Sequence, residues 1–355
     1  MIFIDWYLPG YKAGGAIQSV SNLVAHLKDE YDFSIITRNT DYCETIPYPN
    51  IISDEWNVFP DATRVYYFSE NKLSRKFTIT PLKFFREKKI DVKVILAPRG
   101  MLGKGALNIK PLRKKIFLNY SRVFKLYKDI VWHASSEQEA YEIRDNFGGD
   151  AKIIVALNLS VIPDNPWKQK NKKKGEAKFV FLSRISRKKN LRFALELLQE
   201  IHANYKISFD IIGPIEDPQY WNECLGILGS FPENIPVNII DAIPPDEIQV
   251  RLSEYHFFLF PTEHENFGHV ILEALNASCP VIISDQTPWR NLEKEKCGWD
   301  ISLEDKNRWE KVMATAIDMD QNEFDVWSEN AARKAKVFQQ SETAVESFRK
   351  LFFEK

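Results

Sequence analysis

Residues 257–284, FFLFPTEHENFGHVILEALNASCPVIIS, decide the fold of this chain. The runs 257–260 and 280–284 are short and apolar and are bounded by turn residues, which is typical of strands buried on both faces of a sheet. The segment 268–277 between them is long enough for a helix. A strand, a helix and a second strand in this order predict a βαβ unit in a parallel sheet.

The same alternation extends in both directions along the chain. We predict further strands at 2–8, 33–37, 64–68, 92–97, 130–133 and 152–156 in the first half, and at 178–182, 208–212 and 237–240 in the second. Helical patterns lie between them, and residues 323–355 are typical of one or two closing helices. The expected class is therefore α/β, with doubly wound parallel sheets.

Length and charge divide the chain in two. Its 355 residues suit two domains. A composition of 44% hydrophobic and 27% charged residues excludes a disordered chain. Residues 1–175 hold 28 Lys and Arg against 19 Asp and Glu, whereas residues 176–355 hold 20 against 30. We place a first domain at 1–160, a linker at 161–175 and a second domain at 176–339. A C-terminal helix at about 340–355 could pack back on the first domain, and the lysine-rich run 168–174 is expected to be solvated.

Several classes of protein are excluded. A formal net charge of −1 gives no global basic excess of the kind that nucleic-acid binding needs. The cysteines and histidines lack the spacing of a disulfide framework or a zinc site, which favours a reducing cytoplasm and predicts no metal. The first seven residues indicate a strand rather than a signal peptide, and no apolar run approaches the roughly 18 residues of a membrane span.

The densest chemical pattern follows the strand 257–260. This position is the carboxyl end of a parallel strand, where α/β proteins bind ligands. Gly268 lets the main chain approach a ligand closely, and the amides of a helix N-terminus favour a phosphate. The carboxylates of Glu265 and Glu273 would need hydrogen-bond donors, which sugar hydroxyls or a ribose diol would supply. The alternative is an ordinary amphipathic helix with a solvated Glu273.

Two further loops follow predicted strands. Arg184 and Lys189 come after the strand 178–182, where two fixed cations could clamp a diphosphate and stabilise it as it leaves. Gly14 and Gly15 come after the first strand, where their amides could approach an anion, although the G-x-G-x-x-G fingerprint is absent. The alternatives are a basic surface loop and a flexible connector, respectively.

The first domain carries two more basic features. Arg99 follows the strand 92–97 and would face the same cleft as the other loops. The helical segment 110–128 carries the cations Lys110, Arg113, Lys114, Lys115, Arg122 and Lys125. This segment could dock on anionic lipid headgroups or on an acceptor diphosphate. The alternative is a solvated helix whose apolar residues Ile116, Phe117, Tyr120 and Phe124 face the core.

Together these motifs resemble the GT-B glycosyltransferases, specifically the retaining family 4, over nearly the whole chain. The most specific of them is the E-x7-E motif formed by Glu265 and Glu273. Arg184 and Lys189 match the R-x4-K pair of the family, and the glycines at 14–15 match its first glycine loop. The segments 7–19 and 98–102 are similar to a subgroup that builds bacterial surface polysaccharides. The fold implied is GT-B, with two Rossmann-like domains facing a central cleft.

The resemblance implies a role for each matching residue. Glu265, Arg184 and Lys189 would form the catalytic set, with Glu265 on the hydroxyls of the donor sugar. The donor would be bound further by Gly14, Gly15, Asn266, Phe267, Gly268 and Glu273, of which Glu273 would hold the ribose. The family commonly has glycine at position 266. Many relatives carry a histidine at position 99, and Arg99 would contact the acceptor or the donor sugar.

The function implied is that of a metal-independent, retaining hexosyltransferase. It would transfer a sugar from a nucleotide-sugar donor to a glycan or a polyprenyl-diphosphate-linked acceptor, in the synthesis of bacterial cell-surface polysaccharide such as lipopolysaccharide. It would need no cofactor and would act in the cytoplasm, in peripheral contact with the inner face of the plasma membrane. Two alternatives stay open: a sugar-nucleotide epimerase on the same fold, and a non-catalytic nucleotide-sugar-binding protein.

Overall fold

The computed structural model describes residues 1–4, 7, 15–33, 35–36, 65–69, 79–87, 89, 92–108, 111–160, 167–201, 204–339 and 342–353. The chain forms two compact units, Met1–Val161 together with Ser341–Lys355, and Ile162–Gln340. In the described part of the chain, each unit is built around a parallel sheet of six strands, and a parallel sheet is what the alternation of strands and helices predicts.

The described residues of the first unit form six short strands and six helices. The strands are β1 Ile2–Phe3, β2 Ile35–Ile36, β3 Val65–Ser69, β4 Lys93–Ala97, β5 Val131–Ala134 and β6 Ile153–Val155. They lie in the order β2-β1-β3-β4-β5-β6, and every pair is parallel. The helices are α1 Gly15–Leu27, α2 Thr80–Glu87, α3 Lys104–Leu107, α4 Pro111–Val123, α5 Glu137–Phe147 and, from the C-terminus, α12 Glu342–Phe353.

Both faces of the first sheet are covered, because alternate residues of each strand point to opposite sides. In β4, Leu96 packs into a cluster with residues of α2, α4 and α5: Leu82, Phe85, Leu118, Ala140 and Ile143. Its neighbour Ile95 packs into a second cluster with residues of α1 and α12: Val20, Leu23, Leu27, Phe348 and Leu351. The C-terminal helix therefore completes the core of the first unit.

The second unit repeats the architecture with longer strands. Its strands are β7 Glu176–Leu182, β8 Lys206–Ile212, β9 Val237–Ile240, β10 Phe257–Phe260, β11 Val281–Ser284 and β12 Gly298–Ile301, in the order β12-β11-β10-β7-β8-β9. Its helices are α6 Leu191–Gln199, α7 Pro218–Leu228, α8 Pro245–Leu252, α9 His269–Asn276, α10 Lys306–Asp318 and α11 Gln321–Gln339. The sequence patterns miss β12, a four-residue edge strand whose polar Asp300 interrupts the apolar run.

The lysine-rich run before β7 is not solvated throughout, so that prediction is wrong for two of its residues. Lys172 is only 2% exposed, and Lys170 is half-buried. Each ammonium group donates to three main-chain carbonyl oxygens of the second unit. Lysines at such positions are structural, because three charge-assisted hydrogen bonds replace the lost hydration.

Candidate functional site

Three loops of the second unit meet at the carboxyl edge of its sheet. They follow β7, β8 and β10, at residues 183–190, 213–217 and 261–268. Because β7 lies between β8 and β10 in the sheet, the three loops are neighbours. This edge of a parallel sheet is where α/β proteins bind ligands.

Lys189 and Glu265 form a largely buried ion pair at this edge. Lys189 ends a short 3-10 turn, Arg187–Lys189, and its ammonium group lies 5.2 Å from the centre of the Phe260 ring. Burial by itself would raise the pKa of Glu265, but the charges of Lys189 and Lys188 outweigh burial and hold that pKa at about 2. Glu265 is therefore ionised at neutral pH and can accept hydrogen bonds from ligand hydroxyls.

The loop that carries Glu265 is tied to both neighbouring segments. The amide of Glu263 and the hydroxyl of Thr262 donate to the carbonyl oxygen of Lys188, at 2.9 and 3.0 Å. The amide of Glu265 donates to the carbonyl oxygen of Gln286 at 2.8 Å. Because these bonds fix the main chain around Glu265, its carboxylate is held in position before any ligand arrives.

The helix α9 starts at a glycine in the left-handed conformation. Gly268 has a φ of 80°, and a Cβ there would lie 2.7 Å from Cδ1 of Ile271 and 3.2 Å from Cγ of Glu265. The preceding Phe267 is buried, and its carbonyl oxygen accepts a hydrogen bond from the Trp289 indole at 2.7 Å. The N-terminus of α9 is thus fixed next to Glu265, where its dipole suits an anionic ligand group.

Glu273 lies one turn further along α9 and is half-buried. Burial raises the pKa of its carboxyl group to about 7, and no group among the described residues offsets that effect. The ionised carboxylate of Glu273 would be stabilised by a ligand that donates hydrogen bonds from hydroxyl groups, as a ribose diol does.

The other predicted cation, Arg184, lies in the loop after β7 and forms an ion pair with Glu216. Glu216 comes from the loop after β8, four residues beyond the end of that strand. Sequence reasoning misses this residue. Its position past a strand end on the same edge is the pattern that could have identified it.

In the first unit, the turn that carries Arg99 is held by a buried carboxylate. Arg99 and Gly100 have φ values of 52° and 75°, and the Arg99 guanidinium donates to the side-chain oxygen of Asn158. Glu139 is 1% exposed and accepts from the amide of Gly100 at 2.6 Å. It also accepts from the amide and hydroxyl of Ser135, at 2.7 and 2.8 Å. The turns after β4 and β5 are thereby joined.

Glu139 is a second residue that sequence reasoning misses. It stands third after the N-cap residue Ser136, in the S-x-x-E pattern of a capping box. Its amide donates to the Ser136 hydroxyl at 3.1 Å, as in a capping box. Its carboxylate, however, reaches past the helix start to the turn at Gly100, which local sequence cannot show.

The helix α4 carries an exposed apolar stripe. Five large residues on and just after it are 48–75% exposed, at helical spacing: Leu112, Ile116, Tyr120, Val123 and Phe124. The alternative in which this side faces the core is therefore wrong for three of the four residues named for it, whereas Phe117 is half-buried and packs on the core. Exposed cations lie beside the stripe: Arg113, Lys115, Arg122 and Lys125.

The remaining predicted residues divide between described and undescribed parts of the chain. Gly15 is the first residue of α1, and its carbonyl oxygen accepts from the Ser19 hydroxyl at 2.9 Å. Asn266 follows Glu265, whose carboxylate accepts from its amide at 3.2 Å. Gly14 and Lys110 lie outside the described residues. Within the described ranges, no cluster of three His, Cys, Asp or Glu side chains is arranged to hold a metal ion, and no helix combines the length and apolar character of a membrane span.

Residues 164–334 match the family model described as Glycosyl transferases group 1. The matched residues all lie in the second unit. They include Arg184, Lys189, Glu265, Gly268 and Glu273. The chain is also 31% identical over 120 residues to CapH of Staphylococcus aureus, a capsular polysaccharide biosynthesis glycosyltransferase. The aligned segment covers 33% of this chain and 32% of CapH, so the chain matches about a third of that relative's length.

Solved structures share the fold of the whole chain. WaaG, a glycosyltransferase involved in lipopolysaccharide biosynthesis, superimposes with a TM-score of 0.67 over 100% of this chain and 99% of its own, at 12% identity. HepE of Anabaena in complex with UDP-glucose superimposes with a TM-score of 0.70 over 99% of this chain and 98% of its own, at 13% identity. The predicted GT-B class, with two Rossmann-like domains, is confirmed.

Proposed function

We propose that this protein is a glycosyltransferase that moves a sugar from a nucleotide-sugar donor to a glycan or a polyprenyl-diphosphate-linked acceptor. The observation that carries the proposal is the preformed pair of Lys189 and Glu265 beside the Gly268 start of α9, inside the matched domain. It places a cation, an ionised carboxylate and a helix N-terminus around one small volume, which suits a sugar diphosphate.

Each donor group has a partner in this arrangement. The diphosphate is bound by Arg184, Lys189 and the N-terminus of α9, and the ribose diol donates to Glu273. The hydroxyls of the sugar donate to Glu265. HepE, which shares the fold, is known in complex with UDP-glucose, and a uridine donor is therefore the first to test.

The proposed chemistry needs no metal ion and retains the anomeric configuration. The bond between the sugar C1 and the diphosphate oxygen breaks, and the acceptor oxygen bonds to C1 on the same face. The acceptor proton passes to the departing phosphate oxygen, so no side chain is required as a base. Arg184 and Lys189 stabilise the charge that develops on the diphosphate.

Release of nucleoside diphosphate from UDP-, GDP-, ADP- and dTDP-sugars tests this function. We expect Arg184→Ala and Glu265→Ala to slow release at least about 100-fold, because each removes a group that acts on the transition state. Glu263→Ala, an exposed residue of the same loop, is the matched control. Equal turnover in all variants would contradict the assignment, and conversion of the sugar nucleotide without any acceptor would point to an epimerase.

The proposed setting is bacterial surface-polysaccharide synthesis on the cytoplasmic face of the plasma membrane. CapH and WaaG act in capsular polysaccharide and lipopolysaccharide biosynthesis, respectively. The first unit would bind the acceptor, with Arg99 on the acceptor or on the donor sugar. The apolar stripe of α4 and the cations beside it would rest on the membrane surface, because apolar side chains enter the interface while Lys and Arg meet anionic headgroups.

Co-sedimentation with vesicles tests the membrane contact. We expect the protein to bind vesicles that contain anionic lipid, and Ile116→Glu or Val123→Glu to weaken binding about tenfold, since each places a charge in the stripe. Arg113→Gln with Lys115→Gln should weaken it about 30-fold, at about 1 kcal/mol per cation. Val337→Glu changes an equally exposed apolar residue of α11 and should have no effect. Equal binding of all variants would contradict the contact.

A further inference from the structure

The two cations of the donor site differ in how they are paired. Lys189 and Glu265 are largely buried, with side chains 11% and 16% exposed. The Arg184 and Glu216 side chains are 38% and 45% exposed, so their ion pair lies in water. A water-exposed pair contributes little free energy and breaks readily, whereas a buried pair is held by its surroundings.

The main chain forces Glu216 to lie next to Arg184. Ile185 and Ile215 form a parallel bridge between the loops after β7 and β8, and the Ile185 amide donates to the carbonyl oxygen of Pro214 at 2.9 Å. The amide of Glu216 donates in turn to the carbonyl oxygen of Ile185 at 3.1 Å. These bonds join the residues that follow Arg184 to those around Glu216, so only side-chain rotation can separate the two charges.

A glycine makes this close approach of the loops possible. Gly213 has a φ of 139°, and a Cβ there would lie only 2.0 Å from the carbonyl oxygen of Ser183. The two loops therefore meet main chain to main chain at the carboxyl edge of the sheet. The Glu216 carboxylate therefore lies beside Arg184, which is the cation that we propose for the donor diphosphate.

We propose that Glu216 sets the affinity of the donor site by competing with the diphosphate for Arg184. This inference rests on the proposed function, because Arg184 must bind the donor. In this structure the Glu216 carboxylate pairs with the Arg184 guanidinium. A diphosphate carries more charge than a carboxylate and displaces it, yet Glu216 stays nearby and repels the bound phosphates. The same repulsion acts on the nucleoside diphosphate that remains after transfer and favours its release.

Calorimetric titration with UDP, GDP, ADP and dTDP tests this competition. We expect Glu216→Gln to bind the preferred nucleoside diphosphate about three- to tenfold more tightly than the wild type, and the gain to shrink as salt is raised. Glu223→Gln is the matched control: Glu223 pairs with Arg187, is about as exposed, and lies on α7. It removes the same charge from the same unit and should leave the affinity unchanged.

A double-mutant cycle shows whether Glu216 acts through Arg184. The gain from Glu216→Gln should shrink in an Arg184→Ala background, because the competition for Arg184 is then lost and only the direct repulsion of the phosphates by Glu216 remains. Unchanged or weaker binding by Glu216→Gln, with the wild type binding normally, would overturn this inference alone. A wild-type protein that binds none of the four nucleotides would overturn the proposed function together with the inference that depends on it.

Discussion

At the scale of single residues, two carboxylates of one short segment have opposite acidities. The pKa of Glu265 is about 2 and that of Glu273 is about 7. Burial alone would raise the pKa of both carboxyl groups, and the difference arises from the charges of Lys189 and Lys188, which act on Glu265. The E-x7-E spacing can be found in the sequence, but the low pKa of Glu265 depends on Lys189, which lies 76 residues away along the chain.

Glu273→Gln should change stability in a pH-dependent way. The folded protein holds the Glu273 proton up to about pH 7, whereas the unfolded chain loses it near the ordinary value of 4.5. Stability therefore falls as the pH rises between these values, and the neutral glutamine avoids that loss. We expect the variant to unfold about 2–4 °C higher than the wild type at pH 8, with the difference vanishing toward pH 4.5.

Thermal unfolding at pH 8 and at pH 5 measures this effect. Glu263→Gln, an exposed carboxylate of the same segment, should show no such pH dependence. A variant that is less stable than the wild type at pH 8 would mean that the ionised Glu273 is stabilised by hydrogen-bond donors.

At the scale of elements, two lysines secure the ends of α9 and α10. The Lys170 ammonium donates to the carbonyl oxygens of Tyr255, Ala277 and Ser278, each at 2.9 Å, and Ala277 is the C-cap of α9. Lys172 does the same at the end of α10, with bonds of 2.8–3.0 Å to the carbonyl oxygens of Lys173, Ile317 and Met319. A cation at a helix C-terminus donates to carbonyl groups that have no partner within the helix and complements the helix dipole.

Lys172→Met should be strongly destabilising although it makes the chain more apolar. The substitution keeps the length of the side chain but removes the charged donor from three carbonyl oxygens, of which those of Lys173 and Ile317 keep a main-chain N–H donor. We expect a cost of about 2–4 kcal/mol. Lys174→Met, two residues along and exposed, should change the free energy of unfolding by less than about 0.5 kcal/mol. Denaturant titration of both variants measures the difference, and similar midpoints would contradict the capping role.

At the scale of the whole molecule, the unit boundaries change the meaning of the charge pattern. The halves 1–175 and 176–355 carry net charges of +9 and −10. The lysine-rich run belongs to the second unit, and residues 341–355 belong to the first. Counted by these boundaries, the first unit carries a net charge of +5 and the second a net charge of −6. Much of the apparent asymmetry thus comes from lysines that are part of the acidic unit, and two of them are structural.

The C-terminal helix should stabilise the first unit selectively. Phe348 of α12 is 1% exposed and packs with its ring centre 5.0 Å from that of His133 in β5. Phe348→Ala removes a large core side chain at a cost of about 3–5 kcal/mol. We expect faster amide hydrogen exchange in β4 and β5, with exchange in β7 and β10 unchanged.

Hydrogen exchange followed by mass spectrometry separates the two units by peptide. Lys350→Ala, an exposed position on the same helix, should leave the exchange of both units unchanged. Equal loss of protection in the two sheets would contradict the assignment of α12 to the first unit.

The sequence by itself determined the α/β class, the parallel sheets and the loops that carry the candidate site. It could do so because strand and helix periodicities and the position of a loop after a strand are local properties. Only the tertiary structure decided that Lys189 pairs with Glu265, that Glu216 lies against Arg184 and that Lys170 and Lys172 donate to distant main-chain carbonyl oxygens. Each of those contacts joins segments from 32 to 147 residues apart, and burial and charge pairing depend on which distant segments the fold brings together.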